Sequence, residues 1–554
     1  MKLKGLANRP YNIFFHLHTV SGIVLAVALF VIFFAGAFTL FKSEFYLWEN
    51  PVARKTDIQE FTLARAIHAL KNAETEFDMN DETFISVPTE ESPVVQIYAH
   101  IQPEKEGGAE IHYAGKMDPV SLKIMEKPRS TVGETLYKLH FFDQVPYAGR
   151  WIAGFVSLFF IFATITGVLV HWKNMLTKFW AYGFTGTWKQ IWTNGHTVFG
   201  LLGLPYQLMY AVTGAFYLLL VLVLMPTVML LYGGSPENVF RLAYPMYNIE
   251  YSDHAAAADY TGNIEKISEE WEARYGRDYR LVGVQANHLL KEDAGMTFRM
   301  VSKDPEVFFS NAYVGYRLKD GQEVFHSLPG NKKFTYKVIE SIMHLHFASF
   351  GGLFVKAVYF VMALFSCFVF VSGILIWKEA RNNSRYTTSQ KQFHRRVTKV
   401  FLAICFTLFP ATALLFSAEL LVPEIENHAY WVNTVFFISW LMMTLFALLL
   451  ESEKSITRFS LWMGGFFSLL VPLVNGYSTG DWLWKTAHTQ VWATDLFWLV
   501  TGILSFSIFG FTRPVRPAEA KVFRIGRASM KVTKKPGRRA KVISEPSSGD
   551  SVVS

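Results

Sequence analysis

Residues 13–41 read IFFHLHTVSGIVLAVALFVIFFAGAFTLF and contain no Asp, Glu, Lys or Arg. A helix needs about 20 mostly apolar residues to cross a bilayer, and this run exceeds that. Phe41 to Trp48 continue with bulky residues and offer no small-residue cleavage site, so the run reads as a permanent span and not a signal peptide. A second stretch, His196-Thr-Val-Phe-Gly200 and on to Gly214, repeats its landmarks. His18-x3-Gly22-x13-Gly36 is matched by His196-x3-Gly200-x13-Gly214.

Outward from these runs, further spans are expected at 149–172, 196–231, 347–377, 398–421, 431–450, 457–475 and 490–511, which makes eight. The whole chain agrees. Its 554 residues are 51% hydrophobic, 16% aromatic and only 18% charged, against about 25% charged for a soluble domain. A soluble enzyme and a disordered chain are both excluded. Cys367 and Cys405 lie in apolar runs, so no disulfide scaffold is expected. The absence of a CxxCH motif excludes covalent haem attachment.

Basic residues mark the cytoplasmic side. They gather at the N-terminus, in 173–190, in 378–399 and after 512. Eight spans place all four segments on one side, with both termini cytoplasmic. The net charge of +8 thus reflects topology and membrane apposition, not nucleic-acid binding. The expected organisation is N-terminus and first span (1–48), external α+β insertion (49–138), spans two and three (139–232), second external α+β insertion (233–340), span four (341–382), spans five to eight (383–511) and a basic cytoplasmic tail (512–554). In the first insertion, Thr62–Glu76 reads as a helix, and Val94–His100, Glu110–Tyr113 and Val120–Met125 as strands. In the second, Asn263–Tyr275 reads as a helix, and Tyr279–Gln285, Thr297–Val301 and Gln322–His326 as strands.

The duplication extends to spans two and four. Leu139-His140 leads to Thr166-Gly167, and Leu345-His346 leads to Ser372-Gly373, both at 27 residues. Arg150 and Lys356 each follow their histidine by ten residues. The first four spans are therefore two parallel repeats about an axis along the membrane normal, with glycines permitting close helix approach. Intramembrane histidines are functional hypotheses by default. His18, His171 and His196 belong near the inner face, and His140, His344 and His346 near the outer face. As one continuous helix, His140 to His171 would rise about 46 Å, more than the hydrocarbon core of about 30 Å. No single metal bridges the groups.

Single histidines on separate apolar helices suit bis-imidazole ligation of b-type haem better than a zinc or copper site, which would want carboxylates or thiolates nearby. Two haems are expected. His140 and His346 pair at the outer one, while His196 pairs with His18 or His171 at the inner one. His16 and His344 stand two residues from His18 and His346 and face nearly opposite ways. Arg150 and Lys356 are expected about two to three turns deeper than the outer pair, where they either meet haem propionates or snorkel to the interface. No GxGxxG, P-loop or nucleophile triad occurs, so an electron donor must be external: a cytoplasmic flavoprotein or membrane quinol.

These landmarks, with Ile165-Thr-Gly-Val-Leu-Val-His171, Asn194-Gly-His196 and Leu204-Pro205, resemble the PepSY-associated transmembrane family over roughly residues 8–382. The insertions resemble degenerate PepSY domains. That family includes siderophore-iron reductases of the FoxB kind. The resemblance implies a dihaem protein of a bacterial inner membrane that reduces ferric siderophore, or another ferric chelate, on the periplasmic side. It implies His18, His140, His171, His196 and His346 as ligand candidates. Two rival readings follow from the same chain: a haem-free PepSY-type regulator or peptidase inhibitor, and a component of iron import. Spans five to eight depart from four-span members and suggest a quinol site or a partner contact.

Overall fold

The structure is a computed structural model. It describes residues 7–512 except 55–57, 59, 74–76, 90–91, 102–110, 126–128, 175–186, 236–238, 242–243, 253, 424, 426 and 488. The expected basic tail and the C-terminal end of the 62–76 helix lie outside the described residues. In chain order the first half contains α1 (Asn8–Thr39), α2 (Lys42–Glu49), α3 (Pro51–Arg54) and α4 (Leu63–Lys71). Then come β1 (Thr83–Ser86), β2 (Val95–Ile101), β3 (Ile111–Met117), α5 (Thr131–His140) and α6 (Gly149–His171). The second half contains α7 (Trp188–Leu202), α8 (Leu204–Leu231), α9 (Ile264–Tyr275), β4 (Tyr279–Asn287), β5 (Gly295–Ser302), β6 (Asn311–Arg317), β7 (Glu323–Ser327), α10 (Phe334–Phe347) and α11 (Gly352–Ala380). The chain ends in α12 (Thr388–Leu421), α13 (His428–Leu449), α14 (Glu453–Thr479) and α15 (Gln490–Phe511).

Among the described residues eight helices are long and apolar enough to cross a membrane: α1, α6, α8, α11, α12, α13, α14 and α15. The protein is a multi-pass membrane protein. Its third span starts at Leu204, not at 196. Gly203 ends α7, and Pro205 in the first turn of α8 has no N–H to continue a helix through it. His196 therefore sits on a separate helix ahead of its span. His140 and His346 do the same. A non-helical link, with Phe142 and Tyr147 at positive φ, separates α5 from α6, and Ala348 and Gly352 do this between α10 and α11. The continuous helix assumed for the His140-to-His171 rise does not exist.

The two insertions are not separate domains. They build one seven-stranded antiparallel sheet in the order β3-β2-β1-β4-β5-β6-β7. β1 and β4 join the halves, with Phe84 opposite Gln285 and Ile85 opposite Val284. Each half repeats a helix followed by antiparallel strands, and the two halves meet at the β1–β4 seam. α4 presents Leu63, Ala66, Ile67 and Leu70 at helical spacing, and α9 presents Ile264, Ile267, Trp271 and Tyr275. Both stripes share one core with Val95, Ile97, Ala99, Val284, Met296 and Phe298. The expected strand at Val120–Met125 is only a bridge from Ile124 to Met117; β1 and β6 were not foreseen.

The alternation of β2 buries Val95, Ile97 and Ala99, which leaves Gln96 and Tyr98 on the opposite face. Cross-strand register puts Lys116 beside Gln96 and Ala114 beside Tyr98. The four C-terminal spans brace the outer end of the first bundle. Trp48 is fully buried and donates to Asp495 Oδ1 at 2.8 Å; Asn475 donates to the other carboxylate oxygen at 2.7 Å. Thr135 of α5 meets Asn433 of α13 at 2.6 Å.

Candidate functional site

Two histidine pairs each join equivalent residues of the two repeats. His18 of α1 and His196 of α7 have ring centroids 6.1 Å apart. His140 of α5 and His346 of α10 have ring centroids 6.2 Å apart. The structure thus brings His18 to His196. His171 ends α6 within electrostatic reach of His196.

One hydrogen-bond rule fixes all four rings. His18 Nδ1 donates to the Ala163 carbonyl at 2.8 Å, His140 Nδ1 to Ile32 at 2.8 Å, and His196 Nδ1 to Val369 at 3.0 Å. His346 Nδ1 meets the Thr213 hydroxyl at 2.8 Å, and that hydroxyl donates its own proton to the Met209 carbonyl. A carbonyl accepts only, so Nδ1 carries the proton in each ring. Nε2 is left as a lone pair, the form in which imidazole ligates a metal. An outer hydrogen bond of this kind orients ligating histidines.

The repeated glycines now have a physical role. Each accepting carbonyl lies four residues before a landmark glycine: Ile32 before Gly36, Ala163 before Gly167, Val369 before Gly373. The imidazole reaches that carbonyl across the bare glycine surface. A Cβ at Gly36 would lie 2.6 Å from His140 Nδ1, and one at Gly167 would lie 2.9 Å from His18 Cε1. In the fourth copy the carbonyl is replaced by Thr213, beside Gly214.

Two imidazoles sharing one metal at a metal–nitrogen distance of about 2.0 Å would have ring centroids at most roughly 6.3 Å apart. Both pairs match that spacing. Among the described residues no group of three or more His, Cys, Asp and Glu could hold a bare metal ion.

Between the pairs lies a cluster of aromatic rings. Phe33 sits 5.6 Å from Phe160, 5.4 Å from Phe370 and 6.1 Å from Tyr210, and Tyr210 sits 5.1 Å from His346. Along α1, His18 and Ile32, whose carbonyl His140 reaches, are 14 residues apart, or about 21 Å. The outer pair sits well inside the bundle because His140 reaches down to Ile32.

The outer pair lines a cavity of about 940 Å³. Its deep part is apolar, with Leu29, Phe33, Phe160, Ala211 and Leu218. Its mouth is basic and polar, and is walled on one side by Gln96, Tyr98 and Lys116 of the sheet. Arg150 and Lys356 both line it. They are not deeper than the histidines, since α6 and α11 start at the outer end. Arg150 pairs with Asp143 at 2.6 Å and Lys356 with Glu44 at 2.7 Å.

His344 is not brought to the outer pair. Its Nδ1 meets Ser349 at 2.7 Å and its Nε2 meets Glu340 at 3.2 Å, where Glu340 also pairs with Lys332. His16 is exposed on the far side of α1. Glu49, unnoticed in the sequence, caps α5: it accepts from the Ser130 hydroxyl at 2.6 Å, Thr131 N at 2.7 Å and Val132 N at 3.1 Å. A carboxylate on these free amides favours the helix start and anchors the helix that carries His140.

A model of the PepSY-associated TM region matches residues 15–380, which span both pairs and both insertions. The chain is also similar to an uncharacterized Pseudomonas aeruginosa protein, PA4219, at 22% identity over 397 residues, 67% of this chain and 92% of that protein.

Proposed function

The chain belongs to the PepSY-associated TM region family, and from that premise we propose that it is a dihaem electron-transfer protein of a bacterial inner membrane. It takes electrons from a cytoplasmic flavoprotein or quinol and reduces a ferric siderophore or other ferric chelate on the periplasmic side. The observation that carries this reading is the geometry of the two histidine pairs: equivalent residues, centroids 6.1 and 6.2 Å apart, every Nδ1 engaged. His18 and His196 would hold one b-type haem, and His140 and His346 the other. Haem iron with two imidazole ligands exchanges single electrons without covalent attachment of the porphyrin.

The chain's own residues do the rest. The glycine-backed carbonyls hold His18, His140 and His196 in the ligating tautomer, and the Thr213 hydroxyl holds His346. The Phe33, Phe160 and Phe370 cluster excludes water between the pairs. Arg150 and Lys356 line the same cavity as the outer pair and can hold propionates. The chelate gains one electron as Fe(III) becomes Fe(II), which hard oxygen donors hold less tightly, so iron is released. No acid or base from the protein is needed.

The test uses purified protein reduced with dithionite, freed of excess reductant, and mixed with a ferric chelate and a colorimetric Fe(II) trap. The reading expects trapped Fe(II), and expects its loss in both His140→Ala and His196→Ala. Trapped Fe(II) at the rate of a protein-free blank would overturn it.

A further inference from the structure

The cavity mouth carries more positive charge than its own carboxylates match. Six cations line it: Lys42, Lys116, Arg129, Lys138, Arg150 and Lys356. Three have partners, since Lys42 pairs with Glu134, Arg150 with Asp143 and Lys356 with Glu44. Among the described residues, Lys116, Arg129 and Lys138 have no carboxylate within ion-pair distance, although Glu49 lies near Lys116 and Asp143 near Lys138. Arg129 uses its Nε–H on the Ala114 carbonyl, and Lys116 rests over the Tyr46 ring. Lys116 is half-buried, where charge without a close counterion is costly, and its cation–π contact offsets that only in part; Arg129 and Lys138 stand exposed at the rim. Two haem propionates would account for at most two of the three.

The placement is equally specific. Strand register and alternation turn Lys116, with Tyr98 and Gln96, away from the sheet core and into the cavity. Among the described lining residues none comes from the second insertion. The symmetric sheet is thus used asymmetrically.

We propose that this mouth is a binding site for ferric chelates of net negative charge, read by Lys116, Arg129 and Lys138 on the wall supplied by the first insertion. Its physiological role rests on the reductase reading; the binding does not. Carboxylate or phenolate oxygens on the outside of such a chelate match ammonium and guanidinium donors. A cation-lined cleft also concentrates anions over a low-dielectric floor.

The test measures binding, with no turnover. Gallium(III) replaces Fe(III) because it is not reduced under these conditions. The full-length protein in nanodiscs is titrated calorimetrically with gallium(III) tris-catecholate, which is anionic, and with a neutral gallium(III) tris-hydroxamate. The anionic complex is expected to bind at least tenfold tighter, with affinity falling as salt rises. Lys116→Met, Arg129→Gln and Lys138→Gln should each weaken it about fivefold, the scale of one partly exposed charge pair. Exposed Lys123 lies outside the cavity, and Lys123→Gln should change nothing. Equal binding of the neutral complex, or variants that bind like the parent, would overturn the proposal. So would loss of haem in those variants, because the cations would then serve propionates. A protein without haem that still selects the anionic complex would uphold this site and sink the reductase reading.

Discussion

Adding one methyl group at Gly36 perturbs the outer pair without touching a ligand. The new Cβ would lie 2.6 Å from His140 Nδ1 and 2.7 Å from Cε1. Ordinary contact needs about 3.5 Å, so the ring must retreat by about 0.9 Å. The Nδ1–carbonyl distance to Ile32, now 2.8 Å, would lengthen to about 3.7 Å, outside hydrogen-bond range. Overpacking of this kind costs about 1–3 kcal/mol, and loss of an orienting hydrogen bond lowers metal affinity roughly 10–100-fold. Gly22→Ala is the matched control, because nothing lies within 4 Å of its Cβ position. The assay is haem per chain by pyridine haemochrome, with thermal unfolding in detergent. Gly36→Ala should approach one haem per chain and melt lower, while Gly22→Ala keeps two. Two fully retained haems in Gly36→Ala, with unchanged melting, would refute the reasoning.

Glu49→Gln should destabilise the protein by about 1–3 kcal/mol, the scale for stranding buried donors, and should lower outer-site haem occupancy with the inner site spared; chemical denaturation and the haem assay check this. His346→Ala should remove one haem, whereas His344→Ala should keep both and lower stability through loss of the Glu340 contact, which a paired haem count and melting curve will show. Burial pushes the Lys116 ammonium down to about 7, opposed by nearby Glu49. Lys116 is charged below that pH and neutral above it, so affinity for the anionic gallium complex should fall as pH rises from about 7, and Lys116→Met should flatten the profile.

The sequence made the spans and the duplication legible because both are local or periodic signals. A charge-free run of bulky residues has one stable environment, and His18–Gly22–Gly36 against His196–Gly200–Gly214 needs only counting. The pairing of His140 with His346 followed from symmetry alone. Other features were hidden because they are set by contacts between distant parts of the chain. The β1–β4 seam joins residues some 200 positions apart and depends on two edges meeting. The breaks ahead of spans two to four did leave traces, in Pro146 and Gly149, in Gly203 and Pro205, and in Gly351 and Gly352. Apolar runs on either side obscured them. Glu49 looks like any acidic residue after a span until Ser130 and Thr131 fold over it. Lys116 stands two residues before Asp118-Pro119 in a polar stretch, and only the register opposite Gln96 sends it into the cavity.

The central claim is that two imidazole pairs each hold a haem. An oxidised and dithionite-reduced visible spectrum of the purified protein, with haem quantified per chain, tests it most directly. The account predicts sharp reduced α and β bands and two b-type haems per chain, falling to one in His346→Ala and in His18→Ala. A protein that stays colourless after expression with added haem would contradict it.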